Sequence, residues 1–143
     1  MNLNKFYSTG KDGFRLNNIN KKKVLLIEDD EFCAYTVLKL MKNDFEIVHK
    51  FLGYEGIEEA KNNQYDLLLL DIGLKDINGM EATKRIRQFD NYKNIPIIAI
   101  TAFAMQGDKE KILASGCDEY ISKPFTKDQL FDALRKFKIL KDI

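Results

Sequence analysis

The sequence predicts a doubly wound α/β sandwich around a five-stranded parallel sheet, and three observations carry that prediction. Continuous apolar runs recur at Val24-Leu25-Leu26-Ile27, Leu67-Leu68-Leu69-Leu70 and Ile97-Ile98-Ala99-Ile100. Unbroken runs of this length read as strands covered on both faces, the habit of a parallel sheet. Strand-like and helix-like segments alternate five times, joined by short loops and without an internal repeat, which is the pattern of a right-handed α/β sandwich. Lastly, the runs end in chemically distinctive residues: Glu28-Asp29-Asp30, Asp71, Thr101 and, after Tyr120-Ile121-Ser122, Lys123-Pro124. The loops that follow parallel strands share one edge of the sheet, where open α/β folds place their ligand sites.

The elements follow in order. Strand 1 spans about 24 to 28, and helix 1 carries Cys33, Val37, Leu40 and Met41 at helical spacing. Strand 2 covers about 46 to 51 and is closed by Gly53; helix 2 runs from about 54 to 63. Strand 3 is about 66 to 71, and helix 3 extends from Gly79 through Ile86 to about Phe89. Strand 4 is about 95 to 100, helix 4 about 105 to 115 and strand 5 about 118 to 122. Helix 5, about 126 to 140, presents Leu130, Leu134 and Phe137 on one face.

With 143 residues the chain suits one domain with a substantial core, and 45% hydrophobic against 31% charged content is that of an ordinary globular protein. No apolar run approaches the ~18 residues of a membrane span, so a membrane role is not expected and the cytoplasm is the default location. Cys33 and Cys117 lack metal-ligand spacing and read as reduced, partly buried thiols. The net charge of +1 hides an asymmetry, because residues 1–23 hold six basic residues against Asp12, which leaves a balance of −4 for residues 24–143. An acidic domain argues against nucleic acid as a direct ligand. Residues 1–22, rich in Asn, Gly and Lys, read as a flexible basic tail or linker, and residues 23–143 as the folded domain.

Within the acidic run, Asp30 fits the N-cap of helix 1. Glu28 and Asp29 differ, since carboxylates gathered at a strand end repel one another unless a cation intervenes. Asp71 leaves a buried strand at the same edge and adds a third carboxylate. A hard-oxygen set of this kind suits Mg²⁺, which binds through one or two carboxylates and completes its shell with water and phosphate oxygens. A nucleotide site would need a glycine-rich loop after strand 1, where this chain has acids. Thr101 and Lys123 add a hydroxyl and an ammonium, the groups that stabilise the equatorial oxygens of a transferred phosphoryl group. His49, the only histidine, falls in strand 2, away from the crevice, and reads as structural.

The order and spacing of these residues, from about Lys23 to about Leu140, resemble the receiver domains of two-component response regulators, with their (βα)5 flavodoxin-like fold. The run TAFAMQGDKEKILASGCDEYISKPF, Thr101 to Phe125, is similar to stand-alone cell-cycle-type receivers and to those of hybrid histidine kinases. The resemblance implies Mg²⁺-dependent phosphoryl transfer from a sensor histidine kinase or histidine phosphotransfer protein to Asp71. It implies metal ligation by Glu28, Asp29, Asp71 and the Gly73 backbone carbonyl, and switching by Thr101 and Tyr120 that remodels the face of helix 4, strand 5 and helix 5 toward a downstream partner. Two departures stand out: Glu28 replaces the commoner aspartate, and Lys75 stands where many receivers have proline. Gly73 and Phe103 flank the acceptor with no side chain suited to orient water, which predicts a long-lived phosphoryl state.

Three other readings compete. A receiver excised from the C-terminus of a hybrid sensor kinase would carry residues 1–22 as linker. An aspartyl-nucleophile phosphatase would place a general-acid aspartate two residues after the nucleophile, where Gly73 stands. An unphosphorylated scaffold would not need the intact set of acids, hydroxyl and ammonium.

Overall fold

The computed structural model describes residues 21–102 and 106–139, with backbone alone at Gln106. The segment expected to be a basic tail lies outside the described residues apart from Lys21 and Lys22, as do Phe103 and Leu140. The sheet holds five parallel strands in the order β2-β1-β3-β4-β5: β1 Lys22–Ile27, β2 Phe45–Lys50, β3 Leu67–Asp71, β4 Ile97–Thr101 and β5 Glu119–Ser122. Five α-helices cross between or follow them: α1 Glu31–Met41, α2 Gly53–Asn62, α3 Gly79–Arg87, α4 Gln106–Ala114 and α5 Lys127–Lys136.

Alternate residues of the central strands feed two separate cores. Val24, Leu26, Leu67, Leu69, Ile98 and Ile100 pack beneath α1 and α5. Leu25, Ile27, Leu68, Leu70, Ile97 and Ala99 pack beneath α2, α3 and α4. Every residue of β3 and β4 is buried, which is why their sequences show no polar alternation. The doubly wound, five-stranded prediction therefore stands.

Element boundaries shifted where local hydrogen bonding overruled pattern. Helix 3 was expected to reach Phe89; α3 stops at Arg87, where the Gln88 amide donates to the Arg85 carbonyl, and a 3₁₀ turn follows at Asp90–Tyr92. Helix 5 was expected to extend to 140; α5 ends at Lys136, and Lys138 adopts a positive φ of 60° that cannot continue the spiral. Thr126 and Gln129 close a reciprocal capping box at its other end. Among the described residues no helix is long and apolar enough to cross a membrane.

Register converts these strands into a site. Ile27 pairs with Leu70, so Glu28 emerges beside Asp71; Thr101 pairs with Ser122, so Lys123 emerges beside Thr101. The Lys123 amide donates to the Thr101 carbonyl at 2.9 Å and fixes that adjacency.

Candidate functional site

Glu28, Asp71 and Thr101 are buried polar residues at the ends of apolar strands, at 0%, 6% and 0% exposure. Burial of two carboxylates side by side is costly unless positive charge meets them. The half-buried Lys123 provides part of it, its Nζ lying 2.8 Å from Glu28 Oε1 and 3.4 Å from Asp71 Oδ2. The shorter contact is an ion pair whose alignment falls short of a good hydrogen bond, so Lys123 meets the buried Oε1 mainly through its charge. Glu28 Oε2 accepts from the Asp30 amide at 3.1 Å, and Asp71 Oδ1 from the Gly73 amide at 3.0 Å. Asp29 is half-exposed and tied across the crevice, its Oδ2 accepting from the Lys75 amide at 3.0 Å.

The charges of this cluster do not balance. Burial, and behind it the neighbouring Glu28, pushes the Asp71 carboxyl up from 3.8 to about 6, against the opposing pull of the Gly73 amide and Lys123. Burial acts to lower Lys123, but contact with Glu28 and the charge of Asp71 outweigh it, and the ammonium is held above its ordinary range. One ammonium thus faces three carboxylates. Oxygens of Glu28, Asp29 and Asp71 lie within 4.8 Å of one another and make an all-oxygen set that fits a hard divalent cation.

The remaining expectations divide. Asp30 caps α1 as expected, its Oδ1 accepting from the Phe32 amide at 2.9 Å. Tyr120 sits half-buried on β5, across from Ala99 rather than Thr101, with the Lys109 ammonium 5.5 Å from its ring centroid. It lines a surface cavity of about 460 Å³ between α4, β5 and α5. Cys33 and Cys117 are free and buried; burial and the nearby Glu28 push Cys33 up to about 12, so it stays a thiol. The placement of His49 requires a correction: its Nε2 lies 2.8 Å from the Glu28 carbonyl oxygen, so it braces the crevice backbone instead of standing apart from it. A strand position told nothing about which neighbouring carbonyl the ring would reach. Lys123–Pro124 is a cis peptide bond.

Sequence reasoning missed two supports. Gly79 lets α3 approach the acceptor strand so closely that a Cβ there would lie 2.4 Å from the Asp71 carbonyl oxygen. Asp76 caps a helix remote in sequence, accepting from the amides of Gly53 at 2.9 Å and Tyr54 at 3.0 Å. The Asn78-Gly79 pair at a helix start was a legible signal for the first, and Asp76 carried none.

With the site in place, comparison with known proteins is decisive: the profile of the response regulator receiver domain matches residues 24–135. The chain belongs to the response regulator receiver domain family. Its relatives include the polar-differentiation response regulator DivK of Brucella anthropi, 35% identical over 117 residues that cover 81% of this chain and 95% of that protein. The receiver domain of the sensor histidine kinase PA1611 from Pseudomonas aeruginosa PAO1, solved with magnesium in its active-site cleft, superimposes with a TM-score of 0.77 at 30% identity, covering 82% of this chain and 97% of that one. The chemotaxis protein CheY4 of Vibrio cholerae gives a TM-score of 0.78 over 82% and 98% of the two chains, and at 24% identity it speaks for the fold alone. Receiver domains are regulatory phosphoacceptors and not classical enzymes, so the phosphatase reading falls away.

Proposed function

We propose that Asp71 is the phosphoacceptor of this receiver and takes its phosphoryl group from the phosphohistidine of a sensor histidine kinase or histidine phosphotransfer protein. The observation that carries this reading is Lys123 bridging the buried carboxylates of Glu28 and Asp71, one ammonium between two enclosed acids. An Asp71 oxygen attacks phosphorus, the P–N bond breaks, and the imidazole leaves with the electron pair. Lys123 offsets charge on the phosphoryl oxygens, and the Gly73 amide holds Asp71 in orientation. Glu28, Asp29, Asp71 and the Gly73 carbonyl would hold Mg²⁺, which supplies charge neutralisation for the incoming phosphate. Thr101, buried beside the acceptor strand, and Tyr120, at the cavity between α4, β5 and α5, form the switch that alters that face for a downstream partner.

The 35% identity to DivK supports a regulator of the stand-alone type; the likeness to the PA1611 receiver supports the alternative, a receiver of a hybrid sensor kinase. The test of the site is intact mass after incubation with a small phosphodonor, with and without Mg²⁺. Wild type should gain one phosphoryl group only with Mg²⁺, and Asp71→Asn none. Equal labelling of the mutant would move the acceptor elsewhere.

A further inference from the structure

The β3–α3 loop, residues 72–78, touches two of the other connections at the site end of the sheet, those that follow β1 and β2. From one side the Lys75 amide donates to Asp29 Oδ2, a hydrogen bond across 46 residues of sequence. From the other, the adjacent Asp76 carboxylate accepts from Gly53 and Tyr54 at the N-terminus of α2, a helix whose own N-cap residue, Leu52, offers no side-chain acceptor. Asp29 is the least enclosed of the three acids, half-exposed where Glu28 and Asp71 are buried. It is therefore the one whose orientation depends most on a specific partner, and its partner is a main-chain N–H. A carboxylate oriented by a hydrogen bond to one oxygen presents the other, and such supports set metal affinity without touching the metal.

We propose that the Lys75 amide is a positioning group for Asp29, held in place by the clamp of Asp76 on α2, so that the affinity of the crevice for a divalent cation is set in part by a loop that contributes no side chain to it. The proposal rests on the reading of Asp29 as a metal ligand. Lys75 is exposed, and its side chain plays no part. What matters is that residue 75 has an N–H to give.

Proline removes that N–H and alanine keeps it, which makes the two substitutions a matched pair. Mg²⁺ alone is titrated calorimetrically into the full chain of wild type, Lys75→Pro, Lys75→Ala, Asp76→Ala, Asp29→Asn and the Lys75→Pro, Asp29→Asn double variant. Lys75→Pro should weaken binding about tenfold, and Asp76→Ala should also weaken it, by about threefold. Lys75→Ala should stay within about twofold of wild type. In the Asp29→Asn background proline should cost nothing more, because its effect runs through Asp29. Undiminished affinity in Lys75→Pro, or the same tenfold loss with Asp29 already changed, would overturn the proposal. Equal binding by wild type and Asp29→Asn would instead sink the metal reading beneath it. A measurement free of proline's effect on folding completes the test: in Asp29→Ala the Lys75 amide should exchange its hydrogen about tenfold faster, with the Gly79 amide, bonded to the Ile72 carbonyl, unchanged. No acceleration at Lys75 also refutes the proposal.

Discussion

Replacing Asp71 by asparagine should stabilise the metal-free protein, although it removes the acceptor. The carboxyl is raised from 3.8 to about 6, chiefly by burial and then by Glu28. Because the folded state holds the proton more tightly than the unfolded one, folding stability is undiminished below about pH 4, falls as pH rises through the interval to about 6, and stays reduced above it. At about 1.4 kcal/mol per tenfold change in proton affinity, the penalty above pH 6 is about 3 kcal/mol. Asparagine can keep an acceptor for the Gly73 amide but leaves Lys123 with Glu28 alone, so part of the gain is returned and about 1–3 kcal/mol is expected. The assay is urea unfolding of both proteins in EDTA at pH 7.5 and pH 4. The asparagine variant should be the more stable at pH 7.5, and the difference should close at pH 4. Mg²⁺ at ten times its dissociation constant should then recover about 1.4 kcal/mol for wild type and little for the variant. Equal stability at pH 7.5, or a gain that persists at pH 4, would show that the buried charge of Asp71 is not what the fold opposes.

Asp29→Asn should weaken Mg²⁺ binding more than Asp30→Asn, since Asp30 is occupied as a helix cap; equal losses on titration would overturn that division. Gly79→Ala should destabilise the fold by about 1–3 kcal/mol in urea unfolding, because its methyl group would press on the Asp71 backbone, and a neutral substitution would refute that contact. Thr101→Ala should leave phosphorylation possible while weakening the phosphorylation-dependent change in hydrogen exchange across α4, β5 and α5; the same change in both proteins would uncouple Thr101 from output. Gly73→Asn with Phe103→Glu should shorten the life of the phosphoryl state by furnishing side chains that orient water, and dephosphorylation no faster than wild type would dismiss water access as the control.

The sheet was legible because burial on both faces forces an unbroken apolar signature on β1, β3 and β4, and because parallel order then sends their ends to one edge. Glu28, Asp71, Thr101 and Lys123 could be gathered in that way without coordinates. Residues that act through the main chain were not legible, since an amide N–H is common to all residues but proline: the Lys75 donor to Asp29 and the Gly73 donor to Asp71 leave no trace in residue type. Asp76 shows a second limit. A side chain that caps a helix 22 residues away looks like any loop aspartate, because the pairing of loops is a property of the folded sheet.

The charge arrangement also explains why such a site can switch. A core of this tightness would be most stable with apolar residues in place of Glu28 and Asp71, since buried ion pairs seldom recover their desolvation cost. The fold instead keeps three carboxylates against one ammonium. That imbalance is relieved by whatever brings positive charge and donors into the crevice, and a cation together with a phosphoryl group would draw on Lys123, Thr101 and the loop amides at once. These groups belong to four different strand ends, so satisfying them together constrains β1, β3, β4 and β5 relative to one another. On the proposed reading, a change at Asp71 would be felt at Tyr120 through Thr101 on the neighbouring strand and the backbone bond from Lys123 to the Thr101 carbonyl, without any single contact spanning the distance.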